Sequence, residues 1–202
     1  MNDKARRAPT GAAVLQPQTT AAISEGVLDE LAANGYARLS MEAVAKRAGV
    51  GKSALYRRWP SKQDMVFAVL AESEVTALDA SDTGSLRGDL LASLRETYTW
   101  LVHPRYSGLL PDLTAEAIHD PTLSEAVENL LCHPRRELGA IMLRRAIDRG
   151  ELPDDVNIEI ALDLIGAPLY WRVSVRQAPI EPDYLEQLVD HLLRALGARV
   201  DA

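Results

Sequence analysis

An all-α protein, with a small helix-turn-helix head on a larger helical body, is the fold this sequence predicts. Three observations carry that expectation. Apolar residues recur every three to four positions in one segment after another. No β-branched run alternates cleanly enough to make a strand. Glycine and proline fall mostly between the periodic segments, where they punctuate helices rather than build them. The 202 residues, 47% apolar and 25% charged, suffice to bury a real core. No apolar run approaches the roughly 18 to 20 residues of a bilayer span, and the first 20 residues lack the apolar centre of a secretory signal. A cytoplasmic protein with no membrane partner is expected. A single cysteine, Cys132, leaves no internal disulfide and no cysteine-rich zinc site.

Residues 1–18 hold Pro9, Gly11 and Pro17 with little periodicity and read as a flexible N-terminal arm. Ile23, Val27 and Leu31, at i, i+4 and i+8, form the core stripe of a first helix. "ANGY" should end it, because Gly35 can take the left-handed conformation that closes a helix. Ser40 is the N-cap candidate of a short second helix, with Glu42 favoured in its first turn by the helix dipole. Val44, Ala45 and Ala48 supply its apolar face, and Gly49 ends it. A third helix runs from about Gly51 to Trp59, since Pro60 disfavours helical geometry at the residue before it. Two short helices joined by a glycine turn make a helix-turn-helix. "SKQD", Ser61 to Asp64, is a capping box, with Ser61 receiving the Asp64 N–H and the carboxylate returning to the N–H of Ser61. It opens a fourth helix whose inward positions are Met65, Val66, Val69 and Leu70.

A DNA-binding domain is therefore expected over residues 19–65 and a helical body over 66–202, with the acidic stretch "DASDTGS" separating the head unit from the later helices. In the body, helices are expected near 86–102, 109–118, 122–149 with an interruption at Pro134, 157–175 and 182–196.

Charge is divided unevenly. Residues 1–70 carry ten Lys and Arg against six Asp and Glu, a net of +4 in a chain whose total is -7. A basic head on an acidic body suggests that the head meets a polyanion. Four of those cations lie within "GVGKSALYRRWPSK", Gly49 to Lys62. On a helix Leu55 and Trp59 share one face, Ser53 and Arg57 point nearly opposite, and Tyr56 lies on the flank. This suits a recognition helix in a major groove, polar tips toward base edges and cations toward phosphates. A merely solvated basic face is the competing account, and the position of the cations on the second helix of a helix-turn-helix weighs against it.

The segment Asn34 to Met65, "NGYARLSMEAVAKRAGVGKSALYRRWPSKQDM", resembles the DNA-binding domain and linking helix of the TetR family of transcriptional regulators. By position, the resemblance implies that Lys52, Ser53 and Arg57 read bases and that Ser40, Tyr56, Arg58 and Lys62 contact phosphates. It departs from many relatives at Ala54 and Trp59, where a polar residue and Phe are common. The resemblance further implies a homodimeric repressor that binds double-stranded DNA at a palindromic operator and is released by a small-molecule effector, here unidentified. Arg6 and Arg7 are either a minor-groove arm or a non-contacting tail.

Over the body the resemblance is looser and implies a ligand-binding and dimerisation domain. Ile158, Leu162, Ile165 and Leu169, with Leu185, Leu188, Leu192 and Leu196, mark two strongly apolar helices. The family's last two helices form a four-helix interface, which assigns these residues to the dimer; monomer core is the alternative. Tyr98, Trp100, Leu101, Tyr106, Leu110, Ile118, Leu131, Met142 and Tyr170 are either the lining of an apolar effector pocket or ordinary core. No cofactor or metal is expected. An enzyme is not expected either: no phosphate-cradling glycine loop, catalytic serine motif or paired metal ligands occur, and a Cys132 nucleophile needs a base within reach. A helical interaction protein with non-specific DNA binding remains the alternative function.

Overall fold

The computed structural model describes residues 17–73 and 82–199. Among them every regular element is helical: α1 (Pro17–Arg38), α2 (Met41–Arg47), α3 (Lys52–Arg58), α4 (Lys62–Ala71), α5 (Leu86–Val102), α6 (Leu109–Ala117), α7 (Pro121–Val127), α8 (His133–Asp148), α9 (Ile158–Tyr170) and α10 (Tyr184–Ala195). Two π-helical turns, Glu128–Cys132 and Trp171–Val175, complete the set. No helix of the described residues is long and apolar enough to cross a membrane. The expected arm lies outside the described residues, with Arg6 and Arg7, except that Pro17 and Gln18 already belong to α1.

The head is α1 to α3, continued by α4. Gly35 has φ 72°, ψ 170°, a positive-φ conformation open to glycine but far in ψ from the left-handed helical one expected at "ANGY", so the chain kinks there and one more helical turn, to Arg38, lies beyond it. Gly49 likewise has φ 66°. Ser40 caps α2 by accepting the Ala43 N–H at 3.2 Å, and Ser61 caps α4 by accepting the Asp64 N–H at 3.1 Å. In the Ser61 pair the Asp64 carboxylate takes the serine hydroxyl, at 2.7 Å, where the sequence suggested the Ser61 N–H.

Apolar burial divides into two clusters. The first contains Ile23 and Val27 of α1, Val44 of α2, Leu55 of α3, Met65 and Leu70 of α4, and continues without a break into Leu113 of α6 and Leu123 of α7. The second holds Leu86, Leu90 and Leu94 of α5 against Leu143, Leu169 and Val189. Trp100, near the end of α5, packs against both. The head is therefore mounted on α6 through α1 and shares one core with α6 and α7, while α5, α8, α9 and α10 form the distal bundle.

The interruption expected at Pro134 is the π-helical turn Glu128–Cys132 that joins α7 to α8. Proline donates no N–H, and its ring crowds the carbonyl four residues earlier, here that of Leu130; the widened turn moves that carbonyl aside. A fully buried Asp89 anchors the start of α5, accepting the Thr83 N–H at 2.6 Å and hydroxyl at 2.7 Å, with Arg149 Nη2 at 3.3 Å.

Candidate nucleic-acid interface

The geometry of α3 follows from two buried anchors. Leu55 is fully buried and Trp59 nearly so, which fixes the rotation of the helix and turns Lys52, Ser53, Tyr56, Arg57 and Arg58 outward. Tyr56 is 45% exposed, a large apolar ring that the head leaves in solvent. The turn into α3 is tight because Gly49 has positive φ, and an added side chain there would be strained.

The cations differ in what already holds them. Lys52 forms an ion pair with Glu42 of α2, and its Nζ lies 5.5 Å from the Tyr56 ring centroid. Arg58 donates from Nη1 to the Thr20 hydroxyl at 2.9 Å, and its guanidinium sits 4.6 Å from the Trp59 ring. Among the described residues the exposed Arg57 guanidinium makes no hydrogen bond or ion pair. Lys62 is placed differently: half-buried, its Nζ donates to the Tyr36 carbonyl at 2.9 Å and lies 4.2 Å from the Tyr36 ring. Burial lowers its pKa, against the opposing pull of Glu116. Tyr36 is in turn pushed up, first by burial and then by Asp120, Glu116 and Asp64. Ser40, half-buried, spends one acceptor on the α2 cap.

A short helix-turn-helix whose second helix carries an exposed basic and hydroxyl-bearing face is a DNA-binding head, and the class of molecule is a helical DNA-binding protein. Residues 23–69 match the family model described as bacterial regulatory proteins, tetR family, and residues 80–192 match the tetracyclin repressor-like, C-terminal domain. The chain is 35% identical over 187 residues to the DNA-binding transcriptional repressor TetR of Mycobacteroides abscessus, an alignment that spans 89% of this chain and 96% of that one. It is 31% identical to the TetR family transcription regulator SCO0332, whose crystal structure superposes with a TM-score of 0.65 over 88% of this chain and 97% of that one. The Bacillus subtilis FadR structure in complex with stearoyl-CoA shares the fold at 18% identity, TM-score 0.66, over 88% of this chain and 97% of that one. The chain belongs to the TetR family of transcriptional regulators, DNA-binding repressors that often respond to effectors. The family is regulatory rather than enzymatic.

In the body, several sequence expectations need correction. Ile118, expected to line the pocket, comes just after the last residue of α6 and is 76% exposed, so it cannot line an interior site. Leu101 and Met142 are buried in the distal core, Tyr106 and Leu131 in the proximal one, and Tyr98, Trp100, Leu110 and Tyr170 are half-buried. The Trp100 indole N–H is buried and has no hydrogen-bond partner among the described residues, while Arg135 lies over the ring at 4.9 Å. Of the eight residues assigned to a dimer, Ile165, Leu169, Leu185, Leu192 and Leu196 are buried in the protomer itself, because α9 and α10 both turn that face toward α5. Ile158, Leu162 and Leu188 are half-buried. The face α9 leaves exposed is instead Ile160, Leu164, Ala167 and Trp171, at i, i+4, i+7 and i+11, with Val175 beyond. Gly166 is exposed too, with nothing within 4 Å of where a side chain would begin, but it lies on the flank, about 120° round the helix from this stripe.

Several contacts were not foreseen from sequence: the Glu42 and Thr20 partners of Lys52 and Arg58, and the second apolar stripe of α9. The stripe has a signal, since α9 is apolar nearly all round, and such a helix must bury two faces. Cys132 is half-buried; burial, and then Glu128, push its thiol up, opposite to the activation a nucleophile requires.

Proposed function

We propose that this protein is a homodimeric repressor that reads a palindromic operator through α3 and is released by a small molecule bound in its body. The observation that carries the reading is Arg57, an exposed guanidinium on the outer face of a firmly anchored recognition helix, with no partner among the described residues. Its fork matches the O6 and N7 acceptors of guanine. Lys52 and Ser53 take neighbouring base edges, with Lys52 exchanging Glu42 for DNA. Tyr56, Arg58 and Ser40 contact phosphates, and Lys62 adds charge at the backbone while holding Tyr36.

The dimer forms along the exposed α9 stripe of Ile160, Leu164, Ala167 and Trp171. A two-fold axis there sets two recognition helices about 34 to 36 Å apart, one turn of duplex. The effector binds in the body near Trp100, where the two cores meet and a buried indole N–H awaits an acceptor. Effector binding and operator binding then oppose each other by the same coupling free energy.

The test is selection of bound sequences from a random duplex pool by the purified protein and by Arg57→Ala. A palindromic consensus that loses information at one position per half-site in the variant is the expected outcome. Equal binding to all sequences at moderate salt supports the non-specific interaction protein instead.

A further inference from the structure

One loop of the body reaches across to the head. Between α5 and α6, Arg105 Nη2 donates to Glu25 Oε2 at 2.9 Å and to Asp29 Oδ1 at 2.8 Å. These two carboxylates lie four residues apart, on one face of α1. The other oxygen of Asp29 lies 4.0 Å from Arg47 Nη1, at the last residue of α2. Arg47 also holds Glu30 Oε1, from Nη2 at 2.7 Å and Nε at 2.8 Å, and the buried Glu30 takes the Asn34 amide at 2.8 Å with its second oxygen. Charge thus alternates from a body loop, through α1, to the residue that precedes the turn into the recognition helix.

The loop that carries Arg105 is itself braced. His103 Nδ1 accepts the Arg105 N–H at 3.2 Å, its carbonyl accepts the N–H groups of Tyr106 and Ser107, each at 2.9 Å, and its ring stacks on Tyr106 with centroids 4.6 Å apart. Around Arg105 the seam is loosely filled. A cavity of about 160 Å³ beside Gly35 and Asp112 and another of about 650 Å³ beside Leu28 and Val69 are both bordered by Arg105. Apolar contact between α1 and α6 holds head to body but is non-directional; the two N–H bonds of one guanidinium nitrogen, Nη2, each aimed at a different carboxylate of α1, fix direction.

We propose that Arg105 is a positioning residue for operator reading: its bridge to Glu25 and Asp29 sets the angle at which the body presents α3, and so the separation of the two recognition helices in the dimer. The inference rests on the reading of the chain as a dimeric operator-binding regulator. Arg105 touches no DNA in this arrangement and acts through α1 and α2. A purely structural role would lower stability; a positioning role changes which half-site separations are accepted.

Full-length wild type, Arg105→Gln and Arg105→Lys are compared by selection from duplexes in which the separation of two half-sites varies. All three should choose the same half-site bases. Wild type should confine itself to one separation, whereas Arg105→Gln should accept neighbouring separations and bind the best site about tenfold more weakly. Arg105→Lys, which keeps the charge on a shorter side chain without the planar guanidinium, should lie between. The Arg105→Gln melting temperature should stay within about 4 °C of wild type. If it melts well below that, Glu25→Gln, which removes one acceptor of the bridge, is read in the same assay and must broaden the separations. Unchanged separation and affinity in the folded variant overturn the positioning role and leave operator reading standing. A wild-type protein that selects no half-site overturns operator reading, and the positioning role with it.

Discussion

At the scale of single residues, Arg57 and Lys62 separate reading from holding. Arg57→Ala removes an exposed side chain that no described residue holds, so thermal stability should change by no more than about 0.5 kcal/mol while base discrimination falls by about 1 to 3 kcal/mol. Lys62→Ala removes the bond to the Tyr36 carbonyl and the cation over its ring, and should cost about 1 to 2 kcal/mol of stability. It should also reduce the slope of log affinity against log salt by about one, without altering the selected bases; melting and salt titration check both. Titration provides a third expectation. The Cys132 thiol and the Tyr36 phenol have folded pKa values above their ordinary 9.0 and 10.0. Folding therefore favours their neutral forms, and their contribution is full below those values and lost as pH rises through the raised ones. Melting temperature should hold to about pH 9 and then decline, with Cys132→Ala removing the earlier part of the decline; a flat profile to pH 11 contradicts this assignment. The cations of the head were legible in sequence because a four-residue anchor spacing, Leu55 to Trp59, fixes which way the rest of α3 points. Their partners were not, because Glu42, Thr20 and the Tyr36 carbonyl come from elements whose approach depends on packing.

At the scale of elements, helix ends were the most readable feature. Gly35, Ser40, Gly49 and Ser61 each meet a local backbone demand that three or four neighbouring residues create, and each sits where its chemistry is needed. The two glycines predict different costs. At Gly35 an added Cβ would lie 2.5 Å from Asp112 Oδ2 in addition to the strain of φ 72°. At Gly49, with φ 66°, it would meet nothing within 4 Å. Gly49→Ala should therefore cost about 1 to 2 kcal/mol, the dihedral penalty alone, and Gly35→Ala distinctly more, as read from urea unfolding midpoints. Ser61→Ala should lose about 1 kcal/mol with the α4 cap. What the pattern of α9 could not reveal is which of its two apolar faces turns inward. Ile165 and Leu169 are as apolar as Ile160 and Leu164, and only the docking of α5 distinguishes them. The same ambiguity applies to the proposed effector site, since a half-buried aromatic in a packed helix has the same spacing as a core residue.

At the scale of the whole molecule, the proposed seam along the exposed α9 stripe would make assembly part of stability. Leu164→Asp, on a side chain 40% exposed, should leave the protomer folded and shift a dimer to monomer in sedimentation. Leu169→Ala, fully buried, should instead cost about 2 to 5 kcal/mol of folding stability. Wild-type melting temperature should rise with protein concentration, because the associated state draws unfolded chains toward it. The distribution of tryptophan has a practical consequence. The chain has three, and each occupies a different station: Trp59 is buried in the head beneath Arg58, Trp100 is where the two cores meet, and Trp171 is 57% exposed at the end of the α9 stripe. Variants that retain one indole each would give three optical channels without any added dye. Emission from Trp59 would follow the reading head, quenching of Trp100 would register a guest in the body, and a blue shift of Trp171 would mark the arrival of the second subunit.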